Sequence, residues 1–174
     1  MSMSARPDAD LVQAAQAGDV ASFEALYVRY VPVVHSILLG RLAAVDADDV
    51  TQNVFIIAYR RLTTLREPAA FAGWITRIAR NAAEDHRRRA EETVELDTDY
   101  AARATQADAA EAARALATIR ALPEAYRETL MMRLVEGLSG PEIAERTGLT
   151  HGSVRVNLHR GMQLLRDALE GGDA

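Results

Sequence analysis

Apolar residues recur along this chain every three or four positions, the period of an amphipathic helix, and no stretch alternates convincingly as a strand would. Asp8 is placed to cap a short helix ending at Gly18, and Phe23, Leu26, Tyr27, Tyr30, Val34, Ile37 and Leu38 mark a second, longer one. Pro32 falls inside that pattern; because the apolar spacing resumes at once, a bend is expected there and not a stop. Asp46 is positioned to cap a third helix with Val50, Val54, Ile57 and Ala58 on one side. A loop follows over 62–67, and Pro68 suits the first turn of a fourth helix carrying Phe71, Trp74, Ile75, Ile78 and Ala82.

From about 90 to 106 this periodicity fades and acidic residues take over, the signature of a linker. It returns near Ala109 with Leu116, Ile119 and Leu122, then with Tyr126, Leu130 and Leu134 after Pro123. Ser139 and Glu142 have the spacing of a capping box, with Pro141 in the first turn and Gly148 as the stop. Thr150 or Ser153 starts a final helix with Val154, Leu158, Leu165 and Leu169 inward. The expected fold is all-α: two small helical domains, 1–90 and 109–174, joined by a flexible acidic linker at 91–108. Two helices meeting at Gly148, Leu149 and Thr150, the second one basic, read as a helix-turn-helix, although an ordinary helical hairpin with a solvated arginine face has the same pattern.

Composition narrows the chemistry. The chain has 174 residues, 49% of them hydrophobic, enough to bury a core, and no cysteine, which removes disulfides, thiolate metal sites and cysteine nucleophiles. The longest apolar run, 31–40, contains His35 and is too short to span a bilayer, and the amino terminus is unlike a signal peptide, so a soluble, cytoplasmic protein without membrane insertion is expected. The four histidines, at 35, 86, 151 and 159, lack close metal-ligand spacing, and Asp48 and Asp49 diverge as helix neighbours; no catalytic residue, metal or cofactor is expected.

The net charge of -5 conceals a basic, acidic, basic segmentation. The stretch 77–89 holds five arginines against Glu84 and Asp85, and 147–166 holds Arg155, Arg160 and Arg166 with no acid. Between them Glu91, Glu92, Glu95, Asp97, Asp99, Asp108 and Glu111 face only Arg103. All 20 basic residues are arginine, a bias expected of a GC-rich genome, so the choice of arginine over lysine carries no positional information.

Four stretches carry a family likeness: 47–55 (AlaAspAspValThrGlnAsnValPhe), 71–81 (PheAlaGlyTrpIleThrArgIleAlaArgAsn), 122–130 (LeuProGluAlaTyrArgGluThrLeu) and 136–148 (GluGlyLeuSerGlyProGluIleAlaGluArgThrGly). In order and spacing the chain resembles an extracytoplasmic-function (ECF) sigma factor, of the sigma-70 family, from about Asp10 to Leu169. The resemblance implies a specificity subunit that binds core RNA polymerase, at the beta-prime clamp helices and the beta flap, and recognises promoter DNA. It implies an anti-sigma factor as a further partner. Asp48, Asp49, Gln52 and Asn53 would face the polymerase, with Asn53 standing where the family often has Glu.

By the same resemblance Leu65, Trp74, Arg77, Arg80, Asn81, Arg87 and Arg88 belong to the surface for the minus-10 element, where an unstacked base needs an amide-lined pocket beside phosphate-binding arginines. Trp74, the only tryptophan and set in an apolar stripe, reads first as a core residue and only then as a base-stacking platform. Ser153, Arg155, Val156, His159 and Arg160 would meet the minus-35 element, while Val156, Asn157 and Met162 stand where serine and arginines are common in the family. The acidic linker would run through polymerase channels as a nucleic-acid mimic, or serve as a plain tether. The competing reading is a dimeric helix-turn-helix regulator that does not bind core polymerase, which leaves 47–55 and 71–81 without a purpose.

Overall fold

A computed structural model describes residues 6–94 and 107–170, and among these every regular element is helical. In chain order the helices are α1 (Asp8–Gln16), α2 (Val20–Leu39), α3 (Ala44–Arg61), α4 (Phe71–Val94), α5 (Ala107–Ala121), α6 (Glu124–Leu134), α7 (Gly140–Thr147) and α8 (His151–Glu170). Two 3-10 turns, Leu62–Thr64 and Pro68–Ala70, join α3 to α4. Of the acidic linker expected at 91–108, residues 91–94 continue α4 and residues 107–108 begin α5, while 95–106 lie outside the described residues.

Helix α2 is the axis of the amino-terminal half. Leu26, Tyr30, Val33, Val34, Ile37 and Leu38 are fully buried because α1, α3 and α4 surround it. That lateral packing explains why Pro32 sits inside a continuous helix: the lost hydrogen bond is outweighed by apolar contacts on both sides of it. Gln16 at the end of α1 donates from one amide nitrogen to the carbonyls of Leu62 (2.9 Å) and Leu65 (2.8 Å), fastening the turn that leads into α4.

Two expected caps are replaced by tertiary contacts. Helix α1 begins at Asp8 itself after Pro7, and the Asp8 carboxylate accepts hydrogen bonds from Arg29 and the Tyr30 hydroxyl on α2. Helix α3 begins after Ala43, so Asp46 lies within its first turn, where it favours the helix dipole and faces His86 Nε2 at 3.6 Å. The capping box of α7 forms as the sequence spells it: Ser139 Oγ accepts from the Glu142 amide, and Glu142 accepts from the Ser139 amide at 2.9 Å. Gly148 ends α7 at φ +74°, a left-handed conformation that favours glycine.

The two halves are packed together. The carboxy-terminal part of α2 and the face of α4 meet α6 and α7, and the buried apolar residues form one cluster running from Leu11 to Leu165. Arg120 Nε donates to the Leu39 carbonyl at 2.9 Å across this junction, and Arg127 fills the space beside Gly40.

Candidate nucleic-acid interface

Helix α4 divides the arginines assigned to it. Phe71, Ile75, Ala79 and Ala83 are buried, which turns Arg77, Asn81 and Arg88 to solvent. These three recur at intervals of four and seven and therefore share one side of the helix. Arg88 is held by Asp85 at 2.8 Å but remains exposed, so the pair is weak and exchangeable. Trp74 is half-buried and tilts against Phe71 with ring centroids 5.8 Å apart, serving the core with one face. The Leu65 side chain is buried, so any contact with DNA from that turn falls to its exposed neighbours Thr63, Thr64, Arg66 and Glu67.

Arg80 and Arg87 turn the other way. Arg87 bridges Glu84 (2.8 Å) and Glu91 (2.7 Å) along its own helix. Arg80 faces α6, where its Nε and Nη2 donate to the two carboxylate oxygens of Glu128 at 3.1 and 2.8 Å. Arg41, just past the end of α2, reaches the same carboxylate at 2.8 Å and Glu124 at 3.1 Å. Burial would raise the Glu128 carboxyl, but the hydrogen bonds and charges of Arg80 and Arg41 prevail and hold it below the usual carboxylate value. Arg41 has no counterpart among the sequence-assigned residues. Its only sequence signal is a lone basic residue directly after the apolar run 31–40.

In the carboxy-terminal half, Val154, Gly161 and Leu165 bury one side of α8 against α6. A Cβ on Gly161 would lie 3.1 Å from Leu130, so the close approach of these two helices depends on glycine. Arg155, Val156, His159 and Arg160 consequently line one shallow hollow on the exposed side. Ser153 is exposed too, but its hydroxyl lies 2.8 Å from Thr150 Oγ1, which also accepts from the Ser153 amide and so caps α8. Asn157 turns toward the cleft between the halves.

On α3, Asp48, Asp49, Gln52 and Asn53 are all exposed, opposite the buried Val50, Val54 and Ala58. Gln52 opens onto an apolar groove of about 610 Å³ lined by Phe23, Tyr27, Phe55, Ile56 and Tyr59. Edge-to-face pairs, Tyr27 with Phe55 at 4.6 Å and Phe23 with Tyr59 at 4.9 Å, stiffen it. Sequence reasoning missed this groove because Phe23 and Tyr27 fit an inward stripe; Ile56 and Tyr59, four and seven residues after Gln52, were the available signal.

Asp48 is engaged by His35 Nε2 at 3.2 Å, and His35 Nδ1 meets Glu136 of the carboxy-terminal half at 2.5 Å. Two carboxylates on the two ring nitrogens favour the imidazolium, and the Glu136 hydrogen bond raises His35 above its ordinary value against the opposing effect of burial. A raised value means that this link is complete below about pH 6.5 and is lost as pH rises through the higher value in the folded chain. With dyes on cysteines introduced at Thr63 and Arg133, energy transfer is expected to fall as pH rises above about 6.5. In His35→Gln it should not vary with pH; an identical profile in both chains would show that His35 does not fasten the halves.

Among the described residues no group of three or more histidines and carboxylates is placed to hold a metal, and no helix is long and apolar enough to cross a membrane. Comparison with known proteins matches residues 26–93 to sigma-70 region 2 and residues 112–165 to sigma-70 region 4. The chain is similar to the RNA polymerase sigma-H factor of Pseudomonas aeruginosa, 34% identical with 94% of each chain covered. It is also similar to the ECF RNA polymerase sigma-E factor of Escherichia coli K12, 31% identical over 94% of each chain. Among solved structures it resembles CnrH in complex with the cytosolic domain of CnrY, with a TM-score of 0.62 and 25% identity, covering 95% of this chain and 99% of that one.

Proposed function

The chain belongs to the sigma-70 family as an extracytoplasmic-function sigma factor, and from that premise we propose that it binds core RNA polymerase through α3 and directs initiation at promoters with a minus-10 and a minus-35 element. The observation that carries the reading is the α3 surface, where exposed Asp48, Asp49, Gln52 and Asn53 run on into an aromatic groove. A helix with carboxylates at one end and apolar pockets at the other fits a basic, apolar helical surface such as the beta-prime clamp helices. A DNA-binding regulator has no use for it. The carboxy-terminal module also meets the beta flap in this reading, and the chain serves as a cytoplasmic specificity subunit, with chemistry left to the polymerase.

The two DNA-binding surfaces have different tasks. Arg77 and Arg88 grip the backbone of the minus-10 strand on either side of Asn81, whose amide receives an extruded base and so helps to melt the promoter. The hollow of Arg155, Val156, His159 and Arg160 enters the major groove of the minus-35 element. Similarity to CnrH, solved with the cytosolic domain of CnrY, supports a further protein partner for the closed chain, which in this reading is an anti-sigma factor.

Reconstitution with core polymerase tests the reading. A one-to-one complex that initiates at specific promoters is expected, and Asn81→Ala should reduce open-complex formation about tenfold, equivalent to one lost hydrogen-bonded contact of about 1.4 kcal/mol, with core binding unchanged. A chain that ignores core polymerase and binds a palindrome as a homodimer would establish the regulator reading instead. Loss of core binding in Asn81→Ala would reassign Asn81 to the fold.

A further inference from the structure

We infer that Arg41 and Arg80 form a two-arginine site for a backbone phosphate of the promoter, and that Glu128, flanked by Glu124, fills this site as an internal phosphate mimic when the two halves are packed together. The inference rests on the proposed promoter binding by α4 and adds Arg41 to it. Both arginines belong to the amino-terminal half, whereas both acids come from α6 in the other half. The site is therefore built before its occupant arrives. Arg41 is anchored from within its own half by donation to the Ile37 carbonyl at 3.2 Å.

The geometry is that of oxyanion recognition. Arg80 meets Glu128 through two parallel N–H donors on two oxygens, and Arg41 adds a third donor to one of those oxygens. The two non-bridging oxygens of a phosphodiester accept the same fork. With α6 removed, the acid of the amino-terminal half beside Arg41 is Glu84, which Arg87 already holds at 2.8 Å. With Arg87 taken up by Glu84 and Glu91, the open half presents Arg41 and Arg80 without a carboxylate of their own, on the side of α4 adjacent to the one that carries Arg77 and Asn81. Arg80 and Asn81 are consecutive on α4, so in this inference a strand that reaches Asn81 can wrap the helix to meet Arg80.

The closed junction is also poorly balanced, which makes its occupant replaceable. Arg41 and Arg80 pair with Glu124 and Glu128, and Arg127 and Arg120 line the same hollow without an ion pair to either acid, Arg120 donating instead to the Leu39 carbonyl. Arg127 Nε is buried there without a hydrogen-bond partner, and burial lowers the basicity of both Arg120 and Arg127. A phosphodiester offers the same two oxygens while its other faces remain hydrated, so it competes with Glu128 for the fork.

The test uses the full chain without polymerase, so its result is independent of whether reconstitution succeeds. Binding of a mixed-sequence single-stranded DNA of about 20 nucleotides is followed by fluorescence anisotropy over a salt series. Glu128→Gln keeps the shape and removes the charge; it is expected to bind about tenfold tighter, with a log–log salt slope steeper by about 0.7 for each phosphate gained. Adding Arg41→Ala should abolish that gain, and the more exposed Glu124→Gln should give a smaller gain of the same kind. Circular dichroism melting identifies a misfolded Glu128→Gln, in which case Glu124→Gln with and without Arg41→Ala decides. No gain in the folded variants, or a gain that survives Arg41→Ala, overturns the inference. Displacement of the DNA by inorganic phosphate at matched ionic strength would make this a free-anion site and overturn the promoter assignment.

Discussion

Ile56→Arg is expected to weaken binding to core polymerase by about 30-fold or more while leaving the fold intact. Ile56 is 48% exposed and stands at the mouth of the aromatic groove between Gln52 and Tyr59. Truncating or charging a central apolar anchor of an interface costs about 2 kcal/mol or more, which is close to 30-fold in affinity. An exposed site of this kind changes folding stability by only about 0.5 kcal/mol. Val20→Arg, equally apolar and 55% exposed at the start of α2, is the control that should bind normally. Measured by competition for core polymerase against the wild-type chain, equal losses in both variants would mean that charge in general is responsible and that the groove has no special part.

The helices were legible in the sequence because each long apolar stripe has a partner stripe to bury it. The capping box at Ser139 and Glu142 was legible too, since both its members lie within four residues. Asp8 and Asp46 were misread as caps for the opposite reason: Asp8 finds Arg29 and Tyr30, and Asp46 finds His86, through contacts far along the chain. A local rule has no access to such partners. Leu65 was assigned through its loop, and the loop is exposed, but a leucine between two exposed polar stretches turns inward when a core is available below it.

The packing of the two halves escaped the sequence for a further physical reason. Its bonds join basic residues to glutamates that are 48 residues apart in the case of Arg80 and Glu128, and 101 apart for His35 and Glu136. A basic helix face facing an acid in its own chain has the same sequence pattern as one awaiting DNA. Only the three-dimensional arrangement separates Arg77, Asn81 and Arg88, which are open to solvent, from Arg80, which is occupied. Basic residues in a multi-domain chain therefore report a preference for anions without saying which anion is bound first.

Arg155→Ala and Arg160→Ala are expected to separate base reading from phosphate gripping at the minus-35 element. Both side chains line the hollow with Val156 and His159, and neither is drawn into the junction between the halves. An arginine that donates two hydrogen bonds to a guanine edge contributes about 1–3 kcal/mol of discrimination, so its loss costs about 5- to 150-fold on the preferred sequence and little on a sequence altered at that base. An arginine on the backbone instead weakens every sequence alike and lowers the salt slope by about 0.9 for one duplex phosphate. Arg155 lies nearer the amino-terminal end of α8, the end that reaches deepest in a helix-turn-helix, and is expected to read a base, with Arg160 more than a turn later on the phosphates. Val156 beside them offers an apolar surface suited to a thymine methyl. Footprinting and salt-dependent affinity of the polymerase complex on a promoter and on its single-base variants measure both quantities. Unchanged affinity for both variants at every salt concentration would remove α8 from the groove.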